Sequence, residues 1–280
     1  MRCRIVSDSA ANLYALEDVD FVSVPLKIVS EGREYVDAPG LDVPEMVEEL
    51  RRAKGASRTS CPNPYEWLSA FEGCDAAFAV TISSALSGSY SAAMHAREEH
   101  LRAHPEAKIC VIDSLSAGAE MQLIVEKLRD CILRGMSFEE IEAEVRLYQR
   151  HTHVLFCLQS LNNLARNGRI NPAIAKIAGV LGIRVLGEGS EEGQLHALHK
   201  CRGERKVLEA TLTEMKRAGF GGGRAHIAHC LNPEAAGQLR EMILRDCPAC
   251  EVSIGDCTGL CSYYAEKGGL IVGYEDAGAR

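Results

Sequence analysis

Long apolar runs and basic stretches are both scarce in this chain of 280 residues. No apolar run approaches the ~18 residues that a membrane-spanning helix needs, so we expect no stable membrane insertion. An acid, Asp8, interrupts the start of the chain before a signal-peptide core could form, which indicates a cytoplasmic protein. Acidic residues outnumber basic ones by 39 to 31, for a formal net charge of −8. Nucleic-acid binders normally carry a basic domain or stripe, so this balance argues against DNA or RNA as the main partner.

The sequence also lacks the motifs of several enzyme classes. It contains no P-loop pattern and no Gly-x-Ser-x-Gly nucleophile elbow. The glycines at Gly187 and Gly189 are followed by Glu191 and Glu192, whose charges would repel a phosphate, so we interpret this segment as a turn. These absences argue against a P-loop nucleotide site and a serine-hydrolase triad, and no other motif leads us to expect a cofactor.

Cysteine, in contrast, is abundant, with twelve in the chain. Most lie in apolar stretches, where a free thiol behaves as a small hydrophobic group. Near the C-terminus four of them have the spacing of a thiolate metal site: Cys247, Cys250, Cys257 and Cys261. The strand that we predict over 251–254 would separate the two pairs by about 20 Å, so we expect no metal. A thiol redox function of Cys247 and Cys250 stays open as an alternative.

Short β-rich runs alternate with helical patterns over most of the chain. Strands are predicted at 3–6, 76–81, 108–112, 154–158, 225–230 and 251–254, and helices at 43–54, 91–103, 117–134, 137–150 and 204–217. The helix at 137–150 opens with a capping box, in which Ser137 and Glu140 satisfy the first free amides. Apolar strands that alternate with helices are typical of a parallel sheet covered on both faces.

The pattern changes near residue 151. A pair of short helices is followed by two strands around a Gly/Glu-rich turn at 187–193, which indicates a hairpin rather than another βαβ unit. At about 150 residues per domain, the length also favours two domains. We expect an N-terminal parallel-sheet α/β domain over 1–150 and a smaller α+β domain over 151–280.

Two segments are rich in hydroxyl groups. The first, 57–64, presents Thr59 and Ser60 just before a predicted helix, and the second, 82–90, carries Ser83, Ser84 and Ser87 directly after a strand. A strand that leads through serine and glycine into a helix places amides and the positive end of the helix dipole where an anion can bind. The alternative is that these serines only cap helices and form turns.

Four motifs follow one another in a characteristic order: Ser7-Asp8-Ser9 after the first strand, Thr59-Ser60-Cys61-Pro62, Leu86-Ser87-Gly88-Ser89-Tyr90 and Asn167-Gly168-Arg169. As a set they resemble the DegV family of bacterial fatty-acid-binding proteins, over essentially the whole chain. The resemblance implies two domains with a long acyl chain in a tunnel between them. It also implies a protein that is not an enzyme and that presents the bound acid to a separate ATP-dependent fatty acid kinase.

The resemblance further implies which residues hold the carboxylate of the fatty acid. They are the threonine of one motif and the serine of another, Thr59 and Ser87, with Ser60, Ser84 and the amide of Gly88 as neighbours. Hydroxyls and helix amides can bind a buried carboxylate without a formal counter-charge.

One departure from the family concerns a histidine that also touches the carboxylate, in a His-Thr-Gly-Pro-Gly run near the C-terminus. The matching residues here are Cys257-Thr258-Gly259-Leu260-Cys261, so Cys257 takes the place of the histidine. A thiol is a weak donor and offers no positive charge. A rival hypothesis is an enzyme or sensor that binds a small phosphorylated metabolite, because the loop from Ser83 to Ser89 resembles a phosphate cradle as much as a carboxylate cradle.

Four basic residues lie at predicted turn or helix-start positions of this acidic chain: Arg166, Arg169, Arg202 and Lys206. A local basic face of this kind would suit an acidic partner such as the kinase. The alternative is a set of solvated charges without a partner.

Overall fold

The computed structural model describes residues 3–178 and 182–279. The strands are β1 (Cys3–Asp8), β2 (Asp20–Val24), β3 (Lys27–Ser30), β4 (Arg33–Val36), β5 (Ser57–Ser60), β6 (Ala76–Thr81), β7 (Lys108–Asp113), β8 (Thr152–Leu158), β9 (Ile183–Gly189), β10 (Leu195–Arg202), β11 (Arg224–His229), β12 (Glu251–Asp256) and β13 (Leu270–Glu275). The helices are α1 (Val43–Arg52), α2 (Pro64–Phe71), α3 (Ser89–Ala103), α4 (Ala119–Leu133), α5 (Phe138–Tyr148), α6 (Asn162–Arg166), α7 (Pro172–Ala178), α8 (Glu204–Arg217), α9 (Pro233–Asp246) and α10 (Gly259–Ala265).

The first half of the chain is built on a parallel sheet with the order β2-β1-β6-β7. Along β6, Ala77 and Ala79 pack against α2 and α3 on one face, while Phe78 and Val80 pack against α4 and α5 on the other. All six residues of this strand are buried, which explains its continuous apolar sequence. The prediction of a parallel sheet covered on both faces is confirmed.

The second half contains a mixed sheet with the order β10-β9-β8-β13-β11-β12. The predicted hairpin is the antiparallel pair β9 and β10. Its turn, however, is shorter than we expected, because Gly187 and Gly189 lie within β9 rather than in the turn. A Cβ on Gly187 would come within 2.2 Å of the ring of Phe156, and one on Gly189 within 2.7 Å of Val154. These glycines therefore make room for side chains of the neighbouring strand.

A small antiparallel sheet with the order β4-β3-β5 was not predicted, because its strands have only four residues each. Its buried side chains Ile28 and Tyr35 join a core cluster with Phe156 and Tyr263 from the second half of the chain. Residues 27–60 therefore pack against elements that follow much later in the sequence.

The predicted helices and strands begin and end within two residues of the observed positions. This holds for all those predicted between residues 3 and 150 and for those over 154–158, 204–217, 225–230 and 251–254. The capping box of α5 is present, since the hydroxyl of Ser137 accepts from the amide of Glu140 and the carboxylate of Glu140 accepts from the amide of Ser137. Strand β13 was missed because it contains Gly273, where a Cβ would come within 2.3 Å of the backbone of Ala119 in α4. Within the described residues, no helix combines the length and apolar character needed to cross a bilayer.

A buried carboxylate ties the end of β1 to the loop after β6. Asp8 has no exposed surface and accepts hydrogen bonds from Ser89 Oγ at 2.6 Å and from the amides of Ile82 at 3.0 Å and Ala10 at 3.2 Å. Burial raises the pKa of Asp8 to about 7, although the three donors act in the opposite direction. The start of α3 and the hydroxyl-rich loop before it are thereby held against the parallel sheet.

The free energy of unfolding should fall between about pH 4 and pH 7 through the contribution of Asp8. The native pKa of Asp8 lies above its usual value of 3.8, so between these two values the folded state binds a proton more tightly than the unfolded state. The stabilisation is complete at low pH and is lost as the pH rises through about 7. Urea unfolding at a series of pH values should therefore show a steeper decline for the native protein than for Asp8→Asn. Parallel pH profiles would show that Asp8 stays ionised in the folded state.

Candidate functional site

Elements from both halves of the chain enclose an apolar cavity. Leu26 and Ile82 contribute to its wall from the first half, and Phe156 and Ile271 contribute from the second. Phe156 in β8 and Ile271 in β13 are paired across the antiparallel ladder, so they lie side by side on the cavity. The cavity is therefore bounded by the mixed sheet on one side and by the loops at the carboxyl ends of the parallel strands on the other.

Strand β8 runs along the cavity. Val154, Phe156 and Leu158 all line it, as expected for alternate residues that share one face of a strand. At ~3.3 Å per residue, the positions of Val154 and Leu158 are about 13 Å apart. This strand therefore covers part of the length of an extended aliphatic chain.

Polar side chains line the end of the cavity near Leu158. The hydroxyl of Thr59 in β5 shares a hydrogen bond with the hydroxyl of Tyr264 in α10 at 2.7 Å. Burial raises the pKa of Tyr264, so its phenol stays protonated and can donate. Thr59 and Tyr264 thus present two neutral hydroxyls to whatever occupies this end.

Arg169 is the only charged side chain on the wall among the described residues. Its Nε donates to the carbonyl of Leu86 at 2.6 Å, and its Nη1 donates to the carbonyl of Asn167. Within the described part of the chain, Arg169 has no carboxylate in an ion pair, although the protein is acidic overall. A cation next to hydroxyls at one end of an apolar cavity complements an amphiphile with a single anionic group.

Ser87 lies on the cavity wall just before α3. The amide of Ser87 donates to the carbonyl of Ser83 at 3.1 Å, and its hydroxyl accepts from the amide of Ser89 at 3.3 Å. Because Asp8 holds Ser89, the position of Ser87 depends on the buried carboxylate described above. The structure therefore brings Thr59 and Ser87 to one cavity, although 28 positions separate them in the sequence.

The structure does not bring the other expected neighbours to the wall. Ser60 follows Thr59 in β5, so its side chain points to the opposite face of the strand and is exposed. Ser84 is exposed as well, and its amide donates to Asp113 Oδ1 at 3.1 Å. Gly88 is the N-cap residue of α3 and lies beside Cys61, outside the cavity lining.

Cys257 is also absent from the cavity lining. Its amide donates to the carbonyl of His229 at 2.8 Å, and its side chain is 3% exposed within a core cluster. Cys261, one turn later in α10, lines the cavity instead. Burial raises the pKa of both thiols, so each is a neutral group and neither carries charge at physiological pH.

The four basic residues are divided by the fold. Arg166, Arg202 and Lys206 are exposed, whereas Arg169 turns towards the cavity.

Sequence reasoning missed Tyr264, because α10 was not predicted and no pattern in the sequence relates this tyrosine to Thr59.

Two of the alternatives can be placed in the structure. Cys247 and Cys250 form a disulfide that connects the end of α9 to the start of β12, and neither residue lines the cavity. In the parts of the chain that the structure describes, no group of three or more potential ligand side chains is arranged to hold a metal ion.

The hydroxyl of Ser83 donates to the carbonyl of Gly193 at 2.8 Å, and the adjacent cavity is apolar. This environment favours an acyl chain over a phosphorylated metabolite.

Comparisons with known proteins agree with this geometry. The family model described as "Uncharacterised protein, DegV family" matches residues 2–276. A DegV domain-containing protein of Streptococcus pneumoniae (strain ATCC BAA-255 / R6) is 42% identical over 279 residues, which are 98% of this chain and 99% of that protein.

Two solved structures are similar over nearly the full length of both chains. A DegV family protein from Eubacterium eligens, loaded with heptadecanoic acid, has a TM-score of 0.96 and 41% identity, and covers 98% of this chain and 99% of its own. The Streptococcus pneumoniae Fatty Acid Kinase (Fak) B3 protein, loaded with linoleic acid, has a TM-score of 0.96 and 42% identity with the same coverage of 98% and 99%. By its sequence motifs, its fold and these relatives, the chain belongs to the DegV family.

Proposed function

We propose that this protein binds one long-chain fatty acid in the apolar cavity, with the carboxylate beside Thr59, Ser87 and Arg169. The observation that supports this most directly is the distribution of polarity along the cavity wall. Among the described residues, one cation and neutral hydroxyls lie near one end, and mostly apolar side chains line the rest. The two relatives loaded with heptadecanoic and linoleic acid are more than 40% identical to this chain, which supports the same ligand class.

The energetics of such a site divide between the two parts of the ligand. Burial of the acyl chain contributes about 0.8 kcal/mol per methylene, so the chain supplies most of the affinity. The carboxylate must lose water when it is buried, and this cost is offset only where charged hydrogen bonds replace that water. Arg169 and the hydroxyls are positioned to supply these bonds.

We further propose that the protein is a carrier without catalytic activity, which presents the acid to an ATP-dependent kinase. The name of the Streptococcus pneumoniae relative supports a kinase as the partner. A carrier of this kind must work where ATP is available, which supports a cytoplasmic location. We also propose the division into domains over 1–150 and 151–280, because the parallel sheet takes its strands from the first part of the chain and the mixed sheet takes its strands from the second.

A free long-chain acid should bind the protein, whereas its methyl ester should bind poorly. The ester keeps the acyl chain but lacks the charge that Arg169 would pair with. Arg169→Gln should therefore weaken binding of palmitic acid and reduce the preference for acid over ester. Isothermal titration of delipidated protein measures both affinities. If acid and ester bind equally well to the native protein, the carboxylate site is wrongly assigned.

Loss of either hydroxyl should weaken binding of the acid. Thr59→Val and Ser87→Ala each remove a hydrogen bond to a charged group, at a cost of roughly 1.5 to 3 kcal/mol, or about 10-fold to 150-fold in affinity. Ser91→Ala is a matched control, because Ser91 is an exposed residue of α3 outside the cavity. Displacement of a fluorescent fatty acid provides the measurement. Equal affinities for the three variants would remove Thr59 and Ser87 from the site.

We propose that the exposed residues Arg166, Arg202 and Lys206 belong to the surface that docks the kinase, while Arg169 acts at the cavity. Exposed charges raise the rate of association with a partner of opposite charge more than they raise affinity. Arg202→Glu should slow phosphorylation of the bound acid by the kinase and leave binding of the acid unchanged. Its association should also become less sensitive to salt.

The matched control for this experiment is Arg245→Glu, which reverses an exposed charge in the last turn of α9. Phosphorylation at the native rate is expected for this control. Identical rates for both variants would assign Arg166, Arg202 and Lys206 to the ordinary solvated surface.

A further inference from the structure

The cavity wall meets the solvent at Leu115. Of the described residues that line the cavity, only Leu115 is exposed, at 41% of its surface. It lies in the loop after β7, at the carboxyl end of the parallel sheet. This residue therefore contacts both the cavity and the solvent.

The loop that carries Leu115 is joined to the turn over residues 83–87. The amide of Leu115 donates to Asp113 Oδ1 at 3.1 Å, and the same oxygen accepts from the amide of Ser84 at 3.1 Å. One carboxylate oxygen thus holds both loops side by side. Leu115 and the turn over 83–87 therefore keep a fixed spacing.

The same turn carries groups of the proposed head-group site. Ser87 lines the cavity, and the carbonyl of Leu86 accepts from Arg169 Nε at 2.6 Å. Because Leu115 is fastened to this turn, it lies on the side of the cavity where we place the carboxylate. The exposed part of the wall and the polar part of the wall thus coincide.

The backbone around Leu115 is fixed. Its φ angle is +53°, in the left-handed region that leucine rarely adopts. On one side, the hydroxyl of Ser114 donates to the carbonyl of Ser116 at 3.0 Å and accepts from the amide of Ser116 at 3.1 Å. The carbonyl of Ser116 also accepts from the amide of Ser83 at 2.8 Å. A change of rotamer can therefore move the side chain of Leu115 while its backbone stays in place.

The turn of the hairpin β9–β10 closes against Leu115 from another side. A Cβ on Gly193 would come within 3.1 Å of the Cα of Leu115, so the two backbones are in close contact. Ser83 Oγ donates to the carbonyl of Gly193 at 2.8 Å, which fixes this approach. Ser83 and Gly193 are both buried, so Leu115 is the exposed member of this junction.

We propose that the side chain of Leu115 covers the carboxylate of the bound acid and that the kinase reaches this carboxylate by displacing Leu115. This inference rests on the proposed function. In the transfer, a carboxylate oxygen forms a bond to the γ-phosphorus of ATP, the bond from this phosphorus to the β-phosphate oxygen breaks, and ADP leaves. The attacking oxygen must meet ATP at the protein surface, and Leu115 is the exposed wall residue beside Ser87.

Solvent access to the carboxylate tests this role without the kinase. Palmitate labelled with ¹³C at its carboxyl carbon is bound at saturation to the full chain, and relaxation of this nucleus by a neutral gadolinium chelate in solution is measured. Leu115→Ala and Leu115→Gly should both increase this relaxation. Leu115→Gly also suits the positive φ angle, so agreement between the two variants separates access from a folding defect.

Leu133→Ala is the matched control, because Leu133 is 55% exposed and does not line the cavity. Relaxation at the native rate is expected for this control. Equal relaxation in the native protein and in both Leu115 variants would overturn the proposal. If the native protein binds no palmitate, the proposed function itself is wrong.

Transfer by the kinase provides a second measurement. At saturating kinase, Leu115→Gly should speed phosphorylation of bound palmitate by roughly fivefold to 20-fold, because about half of a leucine side chain no longer has to be lifted from apolar surface. Leu115→Phe should slow it, since a larger side chain must be displaced. Native rates in both variants would show that the kinase reaches the carboxylate elsewhere.

Discussion

The buried carboxylate of Asp8 organises the site, because it holds Ser89 and the amide of Ile82 from the hydroxyl-rich segment, together with the amide of Ala10, at the end of the parallel sheet. A second buried acid, Asp37, holds the start of α10, since its oxygens accept from the amides of Gly259 at 2.7 Å and Leu260 at 3.0 Å. Buried carboxylates of this kind are tolerated only where donors replace the lost water. Each acid thereby fixes a backbone segment that contributes to the cavity wall.

The charge on the cavity wall comes from one side chain among the described residues. Burial keeps the thiol of Cys261 and the phenol of Tyr264 neutral, so Arg169 provides the charge on the wall among the described residues. Cys257, which the resemblance matches to a histidine of the family, has a buried thiol in a core cluster and does not line the cavity. In the function that we propose, the guanidinium and the hydroxyls would recognise the anionic head group, which suits one carboxylate better than a doubly charged phosphate.

Helices and strands that carry a strong local sequence signal were predicted correctly. Those whose conformation depends on a contact with residues distant in sequence were not. The strands of the parallel sheet are continuous apolar runs, and α5 carries its own capping box, so both were predictable. The glycines of β9 were interpreted as part of a turn, and β13, which contains Gly273, was not predicted as a strand. These glycines occur in strands because Phe156 and the backbone of Ala119 approach too closely for any side chain.

The sequence by itself determined the alternation of strands and helices, the two hydroxyl motifs and the family to which they belong. It also contained Thr59 and Ser87 as candidates, because serine and threonine before a helix are a local signal. The tertiary structure alone decided that Tyr264 and Arg169 join them, that Cys257 does not, and that Leu115 reaches both cavity and solvent. These residues come from segments distant in sequence, and their proximity arises from packing of the two sheets, which no local pattern encodes.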